Sequence, residues 1–418
     1  MSPHDRFAVL RIPDYRQFQL YRFLLTLGLQ MQVVIVGWHL YAITHDPLAL
    51  GLTGLAEAIP AIGFSVFGGH VADRRSRKRI VIVSTILITS IALGLCYLST
   101  TTSWYTTCGA WPIYALIFVG GVPRGFLTPS SVALGAQLVP RELYANAATW
   151  NSTTWQTAAV IGPAIGGILY GFVGVTISYA SVAMLLVMSM VMLSFVADPH
   201  KPVEQVDAES IRDSIKQGFH FVFNTPIILS ALSLDLFAVL FGGAVALIPV
   251  FASDVLHVGP EAYGILRAGP SIGAVAMALL LILKPINKRF GSLLLLAVGG
   301  FGVTMILFGL STNFYLSMAM LILSGAFDNV SVVARFTILQ SLTPDNMRGR
   351  VSAINSMFIG SSNEIGGFES GLTAKLMGLV PSVVFGGAMT IAVVLSTWGL
   401  VPSLAKLKKE DLKLASVA

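Results

Sequence analysis

Gly69-His70-Val71-Ala72-Asp73-Arg74-Arg75-Ser76-Arg77-Lys78-Arg79 sets five cations between two apolar runs, residues 49–71 and 80–99. Each run holds about the 20 apolar residues a helix needs to cross a hydrocarbon core of roughly 30 Å. Backbone polar groups cannot stay unpaired in lipid, and runs of this length exceed a barrel strand, so both read as helices. A basic cluster between two spans marks the cytoplasmic side of a membrane protein. In a soluble chain the same run would read as a nucleic-acid patch. Its place between two spans speaks against a nucleic-acid partner.

The same pattern continues outward. Of 418 residues, 55% are hydrophobic and 11% charged, too little charge to cover a soluble surface. The apolar runs predict twelve spans: 17–43, 49–71, 80–99, 110–136, 147–172, 176–197, 226–252, 262–284, 291–311, 314–339, 352–377 and 381–403. Arg141, Lys201, Arg212, Lys216, Lys284, Lys288, Arg289, Arg348, Arg350 and Lys406 fall in connections on one side. The opposite connections, near 44–49, 100–109, 173–176, 253–261, 312–313 and 378–380, carry no Lys or Arg. The chain is therefore expected in the bacterial inner (cytoplasmic) membrane, multi-pass, with both termini cytoplasmic and the bilayer as its solvent. Arg6, Arg11 and Arg16 precede the first span without a short apolar region or cleavage site, so this segment reads as a cytoplasmic tail and not a signal peptide. The net charge of +6 is then a topology signal. Cys96 and Cys108 are too few for a disulfide framework or a metal site. Asn151-Ser152-Thr153 matches a glycosylation acceptor, but it lies on the cytoplasmic side.

The only long polar connection, 198–225, carries Ile211, Ile215, Phe219 and Val222 at helical spacing, the mark of an amphipathic helix on the cytoplasmic membrane surface. It divides the chain into an N-terminal six-helix bundle, 1–197, the linker 198–225, and a C-terminal six-helix bundle, 226–418. The halves repeat. A shift of 204 residues places Gly121 on Gly325, Pro140 on Pro344, Asn151 on Asn355 and Gly162 on Gly366; a shift of 210 places Pro60 and Gly63 on Pro270 and Gly273. Parallel six-span repeats are the pattern of two-lobed transporters.

The stretch from Gly69 to Arg79 resembles the signature between the second and third helices of the major facilitator superfamily, with Ser76 where that pattern has its second Gly. Gly162-Pro163-Ala164-Ile165-Gly166-Gly167 is similar to the superfamily's antiporter-associated helix-5 motif, with Ala158 in place of its usual preceding Gly. Tight helix packing explains these small residues as well. Segments 141–167, 235–249 and 343–371 look like the branch containing the enterobactin exporter and the macrolide efflux proteins. The resemblance implies an all-α fold of twelve transmembrane helices in two pseudo-symmetric bundles. It also implies a central cavity lined by helices 1, 4, 7 and 10.

Ionisable residues inside spans are costly and mark function by default. Arg124, Asp235, Asp328, Glu364 and Glu369, with His39, are the candidates for a substrate and proton pathway. Arg124 and Asp328 are repeat-related with opposite charge. A static ion pair and a titrating role both remain open for these groups, as do packing and titration for His39. Arg335 and Lys375 lie nearer span ends and read as snorkelling cations. Glu57 and Arg267, repeat-related and opposite in sign, are expected either to meet at a periplasmic gate or each to pair locally within its own half. Gly69, Asp73, Arg74, Lys78, Arg79, Arg141, Glu142, Asp345, Arg348 and Arg350 are the cytoplasmic-gate candidates, or else topology anchors.

There is no nucleotide loop, metal cluster or nucleophile-base motif, so neither an enzyme nor a cofactor is expected. The leading expectation is a monomeric secondary transporter exporting an amphipathic solute, siderophore or drug, in exchange for protons. Uptake from the periplasm and a non-transporting receptor or scaffold are the alternatives.

Overall fold

The apolar runs fold as helices in the computed structural model, which describes residues 5–101, 103–198, 211–284, 289–344, 347–408 and 411. The side chains of Val66, Gly68 to His70, Ala72 to Arg74 and Ile211 to Ile215 are outside that description, as is all of Asp345. The first helices are α1 (Pro13–Thr44), α2 (Pro47–Arg74), α3 (Arg77–Thr100), the short α4 (Ser103–Cys108), α5 (Trp111–Gln137) and α6 (Tyr144–Ser194). Then come α7 (Ile211–Asn224), α8 (Pro226–Gly242), α9 (Ile248–Asp254), α10 (Pro260–Leu283) and α11 (Phe290–Leu310). The chain closes with α12 (Phe314–Leu342), α13 (Arg348–Met377), α14 (Leu379–Leu400) and the short α15 (Pro402–Lys406). No strand occurs among the described residues.

α6 has 51 residues. At 1.5 Å per residue it would run about 75 Å, more than twice a hydrocarbon core. It is two spans, turned at Gly174 with φ 81° and ψ 172°. Gly378, between α13 and α14, repeats that turn 204 residues later at φ 92° and ψ 160°. Both conformations belong to glycine. Thus α1, α2, α3, α5 and the two arms of α6 make six spans, and α8 with α9, then α10 through α14, make the other six. The seventh span departs from the continuous helix expected over 226–252. It breaks at Gly243, passes through a 3-10 turn over Ala244–Leu247, and resumes as α9. Two adjacent glycines weaken the helix there. Gly366 and Gly386 press on the carbonyls of Val239, Leu240 and Phe241 just before the break.

The repeat is written in helix crossings. A Cβ on Gly121 would collide with the Glu57 carbonyl and lie 2.5 Å from the Pro60 ring, while one on Gly325 would collide with the Pro270 carbonyl. Likewise Gly162 seats α6 on Leu27 and Gln30 of α1, and Gly366 seats α13 on Val239 and Leu240 of α8. A third pair holds the helix starts. Gly167 meets the Pro260 carbonyl and Gly264, and Gly371 meets the Pro47 carbonyl and Gly51. Removing every side chain from a crossing lets two backbones approach, the usual basis of helix association in lipid.

By contact, one compact unit comprises Met1–His45, Leu52–Glu204 and Val258–Ala268, and a second comprises Asp46–Gly51, Gln205–His257 and Gly269–Ala418. In the first, α1 packs on α6, and α3 on α5 and α6, around fully buried Phe18, Tyr21, Ile35, Leu95 and Tyr179. Residues before α1 are docked: Trp150 Nε1 and Asn146 Nδ2 both donate to the Arg6 carbonyl at 3.0 Å. In the second, α11 packs on α12 and α14, and α8 on α13 and α14. α7 joins that core through Val222 and Phe219, and Arg350 of α13 donates to Gln217 at 2.6 Å.

Candidate functional site

Charge pairing inside the spans is decided by those crossings. Because Gly121 and Gly125 let α5 press on the backbone of α2 at Glu57, Pro60 and Ala61, Arg124 reaches the Glu57 carboxylate and pairs with it. The expected Glu57–Arg267 pair is therefore not the one formed here. Glu57 belongs to Arg124, and Arg267, half-buried one turn after Tyr263, makes no ion pair with a described residue. The Glu57 and Arg124 side chains keep 29% and 28% of their surface exposed, so water still reaches the pair.

The second pair is dry. Asp235 of α8 and Arg335 of α12 form an ion pair with side chains only 6% and 4% exposed. Arg335 does not snorkel, as its place in the sequence suggested; it is a buried cation, 3% exposed, on a stretch of α12 whose Ala334 and Ile338 belong to the same hydrophobic core as Ala231, Leu234 and Ala238 of α8. Two charges in low dielectric hold each other at a steep desolvation cost, and each makes the other indispensable.

Asp328 lies two turns before Arg335 on α12, half-buried and without a hydrogen bond or ion pair to any described residue. Next to it, Asn329 Oδ1 and Ser331 Oγ are buried and unpartnered. A mid-span stretch with a lone carboxyl and two open polar atoms is suited to meeting water, a proton or a solute. Glu369 and Glu364 lie on α13, each partly exposed; Glu364 has a partner, and the Glu369 carbonyl accepts from Thr373 at 2.9 Å. His39 is buried, with Nδ1 3.2 Å from the Tyr179 hydroxyl, in the α1–α6 interface.

The motif residues Gly162 and Gly166 seat α6 on α1, and Pro163 and Gly167 seat it on the start of α10. Ser76, at the position of the pattern's second Gly, has φ −56°, which any residue adopts, and caps α3 by accepting from the Arg79 N–H. Lys78 donates to the Ser194 and Val196 carbonyls at 3.2 and 2.5 Å, closing the end of α6 where the helix dipole is negative. Arg141 and Glu142 form an exposed 3-10 turn, and Arg348 is exposed at the start of α13. The side chains of Gly69, Asp73 and Arg74, and all of Asp345, lie outside the described residues.

The sequence reading passed over Arg22. It lies inside α1, half-buried, with its guanidinium 6.0 Å from the Phe18 ring centre. Its signal was a cation inside the first apolar run. Lys375 likewise is not merely a helix-end cation: its Nζ donates to Asp46 Oδ2 at 2.6 Å.

The sequence pattern of the Major Facilitator Superfamily matches residues 20–367. Enterobactin exporter EntS of Shigella flexneri is 27% identical over 347 residues, covering 82% of this chain and 80% of that protein. The exporter of the same name from Escherichia coli O1:K1 is 28% identical over 348 residues with the same coverage. In fold, a variant of nucleoside transporter NupG superposes with a TM-score of 0.73 at 12% identity, covering 93% of this chain and 100% of that one. The xylose transporter XylE from E. coli, in an inward-open conformation, gives 0.70 at 14% identity, covering 96% and 98%. The chain therefore belongs to the major facilitator superfamily, as a multi-pass membrane transporter and not an enzyme.

Proposed function

We propose that this transporter is a proton-coupled exporter of an amphipathic small molecule, siderophore-like or drug-like, working by alternating access from the inner membrane. What carries the reading is the similarity to enterobactin exporters along 82% of the chain. In this reading both termini are cytoplasmic, the halves 1–197 and 226–418 move about the linker 198–225, and the protein acts as a monomer. Asp328, lacking any described partner, carries the proton together with Glu369. The Asp235–Arg335 pair fixes α8 to α12 beneath them. Arg124 with Glu57, and Arg22, present charge to the solute. The basic loops around Lys78, Arg141 and Arg348 serve the cytoplasmic gate. The glycine crossings at Gly167 and Gly371, near Arg267 and Lys375, serve the periplasmic one.

Inside-out membrane vesicles test this with enterobactin and a macrolide as probes. Wild type should accumulate one of them when the vesicle interior is acidified. Asp328→Asn should remain folded in the membrane and lose the gradient-driven part. If neither probe accumulates, or if Asp328→Asn and Glu369→Gln both keep full gradient dependence, the proposal is wrong.

A further inference from the structure

Arginine does not lose its proton inside a protein, so a guanidinium within a span needs a carboxylate, water or a bound anion. The span arginines of this chain divide on that point. Arg124 has Glu57, and Arg335 has Asp235. Arg22 and Arg267, both in the first compact unit and both half-buried, make no ion pair or hydrogen bond with any described residue.

The packing of that unit keeps its nearest acids away from them. Gly121 and Gly125 hold α2 where Glu57 meets Arg124. Glu261 and Arg267 fall on different faces of α10. The Glu261 carboxylate is turned back onto Gly259 and Gly171, where an added Cβ would lie 2.5 Å from its oxygens.

Each lone cation stands beside aromatic rings that glycine crossings put in place. Gly135 of α5 presses on the Phe18 ring, where a Cβ would lie 2.8 Å away, and the Arg22 guanidinium is 6.0 Å from that ring's centre. Gly166 seats α6 on Met31 of α1, and Gly167 seats it on Gly264 of α10. Between those contacts Trp38 stacks on Tyr263, with ring centres 5.7 Å apart and planes at 25°. Arg267 follows one turn later on the Tyr263 face of α10. From Arg22 to Trp38 α1 rises about 24 Å. Arg22 thus lies toward the end of the spans that carries the basic loops, and Arg267 toward the other end.

A guanidinium with open donors beside an apolar wall suits an acidic group on an apolar body. A resident carboxylate would occupy those donors permanently, as Asp235 occupies those of Arg335. An anion that arrives and leaves needs them open.

We propose that the transported solute is an amphipathic acid, bearing a carboxylate or a comparably acidic hydroxyl, which pairs with Arg22 near one end of its route and with Arg267 near the other. The inference rests on the reading of the chain as an exporter of an amphipathic small molecule, and it narrows that reading: an acid fits, and a drug whose only charge is an amine does not.

The test is equilibrium dialysis of the purified full-length protein in uncharged detergent, with radiolabelled 1-naphthoate and its uncharged analogue 1-naphthamide, each counted above empty micelles. Wild type should bind naphthoate about tenfold or more tighter than naphthamide, the worth of one hydrogen bond to a charged group. Arg22→Gln and Arg267→Gln should each lower that ratio, and the double variant should bring it to about one. A merely structural role would change both affinities together and leave the ratio alone. Should the double variant fail to fold, the two single variants are read in its place. Absence of naphthoate binding, equal binding of the two probes by wild type, or a ratio unchanged in the double variant (or in both single ones) would overturn the proposal. The measurement involves no gradient and no direction. An acid preference that holds while the vesicles show no export leaves the solute class standing and removes the export reading; export without the preference does the reverse.

Discussion

Arg335→Met tests how far the second unit depends on one buried charge pair. The substitution keeps much of the side-chain volume and removes the guanidinium, leaving Asp235 as a carboxylate whose side chain is 6% exposed. Breaking a buried pair from one side costs about 3–5 kcal/mol, because the surviving charge has neither water nor partner. At about 1.4 kcal/mol per decade, that lowers the folded-to-unfolded ratio by two to three and a half orders of magnitude. The companion, Asp235→Asn with Arg335→Met, removes both charges and should recover at least half of the loss, since an uncharged contact carries no comparable desolvation cost. Stability is read from denaturant titrations of purified wild type, both single variants and the double variant, monitored by intrinsic tryptophan. A loss below about 1 kcal/mol in Arg335→Met, the range of exposed pairs, would show that water reaches the site. A double variant no more stable than Arg335→Met would show that the side chains matter as packing and not as a charge pair. Either result would refute the assignment of this pair as a dry core element.

Glu57→Gln should cost much less, about 1 kcal/mol, because its pair with Arg124 is more than a quarter exposed and screened by water. Exchanging the residues, Glu57→Arg with Arg124→Glu, should restore most of that loss in the same titration. Gly167→Leu should part α6 from the start of α10, since even a Cβ would lie 2.7 Å from the Gly264 Cα. In a chain with Cys96 and Cys108 replaced by serine, maleimide labelling of Ala262→Cys should then rise severalfold, and unchanged labelling of folded protein would show that the crossing relaxes without opening.

The spans were readable because crossing lipid demands long apolar runs, and the repeat because close crossings demand glycine: Gly121 and Gly325 were paired by offset and lie in matching contacts. Charge partners were not readable. Opposite signs at repeat-related positions suggested Glu57 with Arg267, but reach across a crossing decides pairing, and Gly121 hands Glu57 to Arg124. An error of boundary hid one cation: with the tenth span ended at 339, Arg335 stood near a helix end, whereas the helix runs to Leu342. Polar helix ends extend beyond what an apolar run reveals. The break at Gly243 was equally invisible, since the run around it is uniformly apolar and hydropathy does not register backbone direction.

The turns at Gly174 and Gly378 leave the face opposite the basic loops almost without handles. At both places one span becomes the next within a single residue's change of direction, and the adjoining helices begin or resume at once. A protease, an antibody or an inserted epitope has nothing to grip there that is not itself helix. Tags meant to report on that face should go into the stretch around Gly109 or the one between Asp254 and Pro260, where the backbone has already left helical geometry.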